Sequence, residues 1–140
     1  MNSPRTWRRR TWLAAIGGGL LLVVVGGYLA ICVWIGMGVR AQVAQAQSQY
    51  AGDPVEALMA LVADEGQPLK DRNYAIWALG QLADERALPL LQRLRTGQPC
   101  DHAHRVCEHE LAKAIALVEG GWNAGGWVWR RGELTGGGGR

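Results

Sequence analysis

The sequence predicts an all-α protein, with one N-terminal transmembrane helix followed by a short solenoid of two antiparallel helix pairs. Three observations predict it. No charged residue occurs between Thr11 and Val39, where leucine, valine, isoleucine, alanine and glycine dominate. From Asp53 to Val118, apolar residues recur at the three- and four-residue spacing of helix faces. The gaps between those stretches carry aspartate, proline and glycine, residues that start and stop helices. The chain thus divides into a basic flank (1–10), a membrane helix (11–39), a Gln/Ala-rich spacer (40–52), a helical domain (53–119) and a Trp/Gly-rich tail (120–140).

The apolar segment is long enough to cross a hydrocarbon core about 30 Å thick, which takes about 20 residues. Trp7, Trp12 and Trp34 stand where interfacial indoles are favoured. Four arginines precede the segment (Arg5, Arg8, Arg9, Arg10) and one follows it (Arg40). The positive-inside rule then puts the N-terminus in the cytoplasm and the domain outside it. This predicts a single-pass protein of a bacterial inner membrane with a periplasmic domain. A cleaved signal peptide competes with this reading, with Ala44-Gln45-Ala46 as the cleavage site. A signal core is about 7–15 residues, however, and this run is far longer. The small-residue pairs Ala15/Gly19 and Gly26/Ala30 could let two such helices pack as a homodimer, although glycine is common in membrane helices anyway.

Net charge argues against a nucleic-acid partner once it is split. Residues 1–40 carry +5 and residues 41–140 carry −2, so the overall +3 belongs to the membrane flank. After residue 41 the only aliphatic hydroxyls are Ser48, Thr96 and Thr135, little material for a serine or threonine nucleophile.

Residues 41–52 read as a helical continuation of the span or as a polar spacer. Asp53-Pro54-Val55-Glu56 then gives an N-cap, a proline at the first helical position and a Glu at N3, the capping-box pattern. Val55, Leu58, Met59 and Val62 make the stripe of that first helix, and residues 64–68 break it. A second helix runs from about Leu69 to Ala83 on the stripe Ala75, Ala78, Leu79 and Leu82. Asp84 caps a third, with Ala87, Leu90, Leu91 and Leu94 inward and Pro89 about one turn in. Asp101 caps a fourth that reaches Val118, with Ala103, Cys107, Leu111, Ala114 and Val118 on one side, and Gly120-Gly121 ends it.

The stretch 71–94 runs from Asp71-Arg72 through an alanine-rich helix ending Leu79-Gly80-Gln81-Leu82, then Asp84-Glu85-Arg86-Ala87-Leu88-Pro89-Leu90. It resembles a HEAT-like repeat of the phycobilisome-lyase type, with arginine, Leu-Gly-x-Leu and Asp-x-Arg-Ala-x-Pro-x-Leu in order. The resemblance implies two HEAT-like pairs, a fragment that holds partners and does no chemistry. It also implies a structural ladder between repeats, matched here by Arg72 with Asp71 or Asp84. Two repeats are few for a solenoid, whose units bury their faces on neighbours. The deficit calls for a cap from the tail, a dimer or another protein.

One segment suggests chemistry. Cys100-Asp101-His102-Ala103-His104-Arg105-Val106-Cys107-Glu108-His109 gathers all three histidines and two of the three cysteines. A Cys100–Cys107 disulfide is one reading, but seven residues of helix rise about 10 Å, past the bridging limit of about 7 Å, so Cys100 would have to lie outside the helix. Zinc or copper held by Cys100, His104, Cys107 and His109 is a second, although the spacing matches no paired-ligand motif. The third leaves Cys107 in the core and the histidines in solvent. Among the tryptophans, Trp127 and Trp129 either fold back over the solenoid end or, with Arg130 and Arg131, form an exposed patch.

The expected function is therefore a non-catalytic, cofactor-free, membrane-anchored scaffold or modulator of a membrane complex. It contacts the bilayer through 11–39 and an unidentified protein partner through Tyr74, Trp77, Trp127 and Trp129. The alternative is a redox- or metal-responsive module built on the Cys100–Cys107 segment.

Overall fold

A computed structural model describes residues 4–99, 101, 103–123, 125, 126 and 130, with side chains from Trp12 onward. The described residues are helical throughout, without strands: α1 (Pro4–Gln47), α2 (Pro54–Ala63), α3 (Leu69–Leu82), α4 (Leu88–Leu94) and α5 (Glu108–Val118), with a 3-10 turn at Glu85–Ala87 before α4.

The helix α1 is a single continuous element with two environments. Every residue from Trp12 to Ile31 is exposed. At 1.5 Å per residue this is a bare apolar rod about 30 Å long. Beyond it, Cys32, Gly36, Val39, Val43 and Ala46 are buried, spaced 4-3-4-3 along one seam. Of the polar letters, Gln42 and Gln45 flank this seam and are half-buried, and Gln47 is exposed. The stretch 40–47 thus continues the helix and supplies core residues, with Val39 and Ala46 fully buried.

The helix α2 starts as the capping-box pattern dictates: Asp53 Oδ1 accepts from the Val55 and Glu56 amides, and Glu56 Oε2 accepts from the Asp53 amide. Its Leu58, Leu61 and Val62 are fully buried. The helix α3 ends in a left-handed residue, Ala83 (φ 52°), whose amide donates to Leu79 O. The expected third helix is split. Asp84 accepts the Arg86 amide and caps the 3-10 turn, and α4 starts only at Leu88. Pro89 therefore falls in the first turn of α4, where its missing N–H costs no intrahelical bond.

The fourth helix corrects the expectation most clearly. Asp101 accepts from the Ala103 amide, and a single turn forms, but the helix proper begins at Glu108. Asn73, on α3, supplies the reason: its Oδ1 accepts the Cys107 amide at 2.8 Å, capping α5 from another element. Val106 and Cys107 are drawn into the core, whereas Ala103 is exposed.

Asn73 meets Cys107 and Gly80 meets Ala114, so α3 and α5 run parallel at a constant offset of 34 residues. The helices α2 and α4 also begin 34 positions apart, at Pro54 and Leu88. This is the stacking of two repeats, α2–α3 and α4–α5, in a short solenoid. Gly38 lies against Trp77 and Gln49 bonds Gln67, so α1 runs antiparallel to α3 and covers its open side. The C-terminal part of α1 adds a further helical layer to the two repeats.

Candidate functional site

The antiparallel approach of α1 and α3 leaves a groove of about 820 Å³. One wall is α1, with Trp34, Ile35, Gly38, Ala41 and Gln42. The other is α3, with Lys70, Asn73, Tyr74 and Trp77, and Glu110 of α5 closes one side. Gly38 lies close against the Trp77 ring at the centre: a Cβ there would stand 3.2 Å from it. Trp77 is thereby half-buried against the groove floor, while Tyr74 is 48% exposed and Trp34 75% exposed. Lys70 Nζ sits 6.0 Å from the centre of the Tyr74 ring. Gln42 Oε1 is buried and finds no donor among the described residues. The structure thus brings Tyr74 and Trp77 together, and adds Trp34 and Gln42, which the sequence presented only as an interfacial indole and a spacer residue. The signal for both was their place beside the 4-3-4-3 seam of α1.

Trp127 and Trp129 lie outside the described residues. The described part of the tail folds back: Asn123 Nδ2 donates to Gln81 Oε1 and Arg130 Nε to Gln81 O, and Gly125 packs against the Cys32 thiol. Trp122 stays 89% exposed.

Arg72 is buried, 8% exposed, and its Nε donates to Val62 O at 2.9 Å. It ties α3 to the last turn of α2, with Asp64 nearby enough to feel its charge. Asp71, half-buried in the first turn of α3, adds an acidic residue at the positive end of that helix. Asp84 is engaged by a different arginine. Arg86 forks onto Asp84 and reaches Asp53 at 2.6 Å, joining the repeat turn to the cap of α2. The Arg86 hydrogen bonds are the main reason that both carboxylates are held below the ordinary aspartate range. A depressed folded value means that protonation costs more in the folded chain than in the unfolded one. The stabilisation is therefore complete above about pH 4 and lost as pH falls through the folded values. Thermal stability should be flat from pH 7 to about 5 and drop below about 4, and Arg86→Met should flatten that drop. Asp53→Ala should cost about 1 kcal/mol by thermal melt, the usual worth of an N-cap.

Cys100 and His102 lie outside the described residues. Cys107 is buried at the start of α5, His104 is 81% exposed on its side chain and pairs with Asp101 Oδ2 at 3.0 Å, and His109 is exposed. His104 lowers the Asp101 carboxyl by that hydrogen bond. Among the described residues, no three His, Cys, Asp or Glu side chains gather as a metal-binding group.

With this arrangement in view, the class is a small helical-repeat protein on a long apolar helix. Residues 71–94 match the family model described as PBS lyase HEAT-like repeat, and this segment is a HEAT-like repeat. The match starts in α3 and ends with α4. No curated protein and no solved structure matches the chain.

Proposed function

We propose that the chain is a membrane-anchored, non-catalytic scaffold that holds a small HEAT-like domain rigidly against the bilayer surface. In this reading the N-terminus is cytoplasmic, the domain extracytoplasmic, and a protein of a membrane complex docks on the domain. The observation that carries the reading is the continuity of α1: the exposed apolar half and the buried half are one helix. An all-apolar exposed rod is stable in lipid and insoluble in water. Cleavage after Ala46 would remove Val39, Val43 and Ala46 from the core, which speaks against a signal peptide. HEAT-like repeats generally hold partners without catalysing reactions, and the scarcity of hydroxyl nucleophiles after residue 41 accords with that.

The test is expression of the full chain with a C-terminal tag in a bacterium that has a periplasm. The expected result is an uncleaved mass, retention in the membrane after an alkaline carbonate wash, and domain proteolysis only from the periplasmic side. A shortened, washed-off product would sink the anchor.

A further inference from the structure

We propose that Trp122 is a second point of membrane contact, with its indole in the headgroup region where α1 leaves the bilayer. The inference rests on the membrane-anchored reading and adds a site at which the domain itself touches lipid. Exposure is the first argument. Outside α1, the only large apolar side chains exposed among the described residues are Tyr74 and Trp122, and Trp122 is 89% exposed. An indole joins an apolar body to one N–H donor, which suits it to a bilayer interface better than to water.

Depth is the second argument, and the neighbours of Trp122 on both sides set it. Trp77 of α3 lies at Gly38 of α1, and the two helices are antiparallel. Gln81, four residues past Trp77, is therefore level with Trp34, four residues before Gly38. Asn123 donates to Gln81 Oε1 at 3.0 Å, which holds the residue after Trp122 at that level. The residue before it, Gly121, donates its amide to Ala116 O at 2.7 Å. Ala116 corresponds to Leu82 at the 34-residue offset of α3 and α5, level with Val33 by the same register. Gly125 gives the closest marker: a Cβ there would stand 3.3 Å from Cys32 Sγ. Cys32 directly follows the exposed run Trp12–Ile31, which spans a hydrocarbon core of about 30 Å. Val33 and Trp34 stand about 3–4.5 Å beyond Ile31, inside a headgroup zone about 5–8 Å deep.

The third argument is placement around α1. Cys32 faces the domain and its tail, whereas Trp34, two residues on, lies about 200° round the helix. Trp34 alone would anchor one side of the exit. With Trp122 on the domain's side, indoles hold the interface on both sides of α1, and such anchors set the tilt of a span. The domain then keeps a fixed attitude to the bilayer, with its groove above the headgroups. Tyr74, level with Ala41 by the same register, stands about 15 Å beyond Ile31.

The experiment places the full chain in phosphatidylcholine vesicles, with photoreactive benzoylphenylalanine at position 122, 34 or 74, and reads intact mass after irradiation. All three side chains are exposed, and circular dichroism checks that each form is folded. The expected result is a lipid adduct from 122 and from 34 in comparable yield, and its loss at 74. An adduct from 34 with none from 122 refutes the second contact and leaves the anchor standing. No adduct from either position refutes the anchor with it. Equal yields from 122 and 74, or a second copy of the chain captured at 122 in place of lipid, overturn the assignment.

Discussion

Gly80→Val is expected to abolish the folded domain, and Gly80→Ala to cost about 1–2 kcal/mol. A Cβ at position 80 would stand 2.7 Å from Ala114 Cα and 2.9 Å from its Cβ. The obstacle includes backbone, so no rotamer change relieves it. Separating α3 from α5 would open the core in which Ala78, Leu79, Leu111 and Ile115 are buried. Overpacking usually costs about 1–3 kcal/mol, and the better helix propensity of alanine returns about 1 of that. Valine adds two further methyls into the same gap and exceeds what a small domain can lose. Gly38→Ala is the informative comparison. Its Cβ would meet the edge of the Trp77 indole at 3.2 Å, a side chain at the rim of an open groove that can shift by a few tenths of an ångström. A loss below about 1 kcal/mol is expected there. Urea unfolding of the three variants checks both statements, and a Gly80→Ala chain as stable as the parent would refute the close crossing.

Gly80 also shows how much was legible. Its place in Leu79-Gly80-Gln81-Leu82 marked it as part of the repeat pattern, but the reason for glycine lies on α5, 34 residues away. Local signals worked where the cause was local. The capping box at Asp53 placed the start of α2, and the break at 64–68 placed its end, because each is written in adjacent residues. Asp101 carried the same kind of signal and misled. It does form its turn, yet Asn73 caps α5 at Cys107 from another helix, and that competition is invisible along the chain. Likewise Arg72, read as a partner of Asp71 or Asp84, spends its Nε on the Val62 carbonyl, while Arg86 takes Asp84 and Asp53. The groove was half legible: Tyr74 and Trp77 stood out as aromatics on the repeat, but their facing wall came from the end of the expected membrane helix (Trp34, Ile35, Gly38) and the start of a stretch whose glutamines looked like a spacer.

That misleading stretch sets the last expected result. A chain beginning at residue 47, as signal-peptide cleavage after Ala46 would leave it, should fail to fold, whereas one beginning at residue 32 should fold in water. The short form loses Cys32, Val39, Val43 and Ala46 from the core and uncovers the α2 and α3 faces that they bury. Burying a valine is worth about 1.5–3 kcal/mol, so the two valines alone approach the stability of a small domain. The cost does not stop there, because Ile35 is removed as well and Trp77 loses its contact with Gly38. The chain from 32 keeps that seam and discards only the exposed apolar rod, which contributes nothing to the core. Circular dichroism and a thermal melt decide it: a cooperative transition for the chain from 32 and none for the chain from 47. Equal melts for both would mean that α1 merely rests on the domain, and a rigid coupling of bilayer and repeat would then have no physical basis.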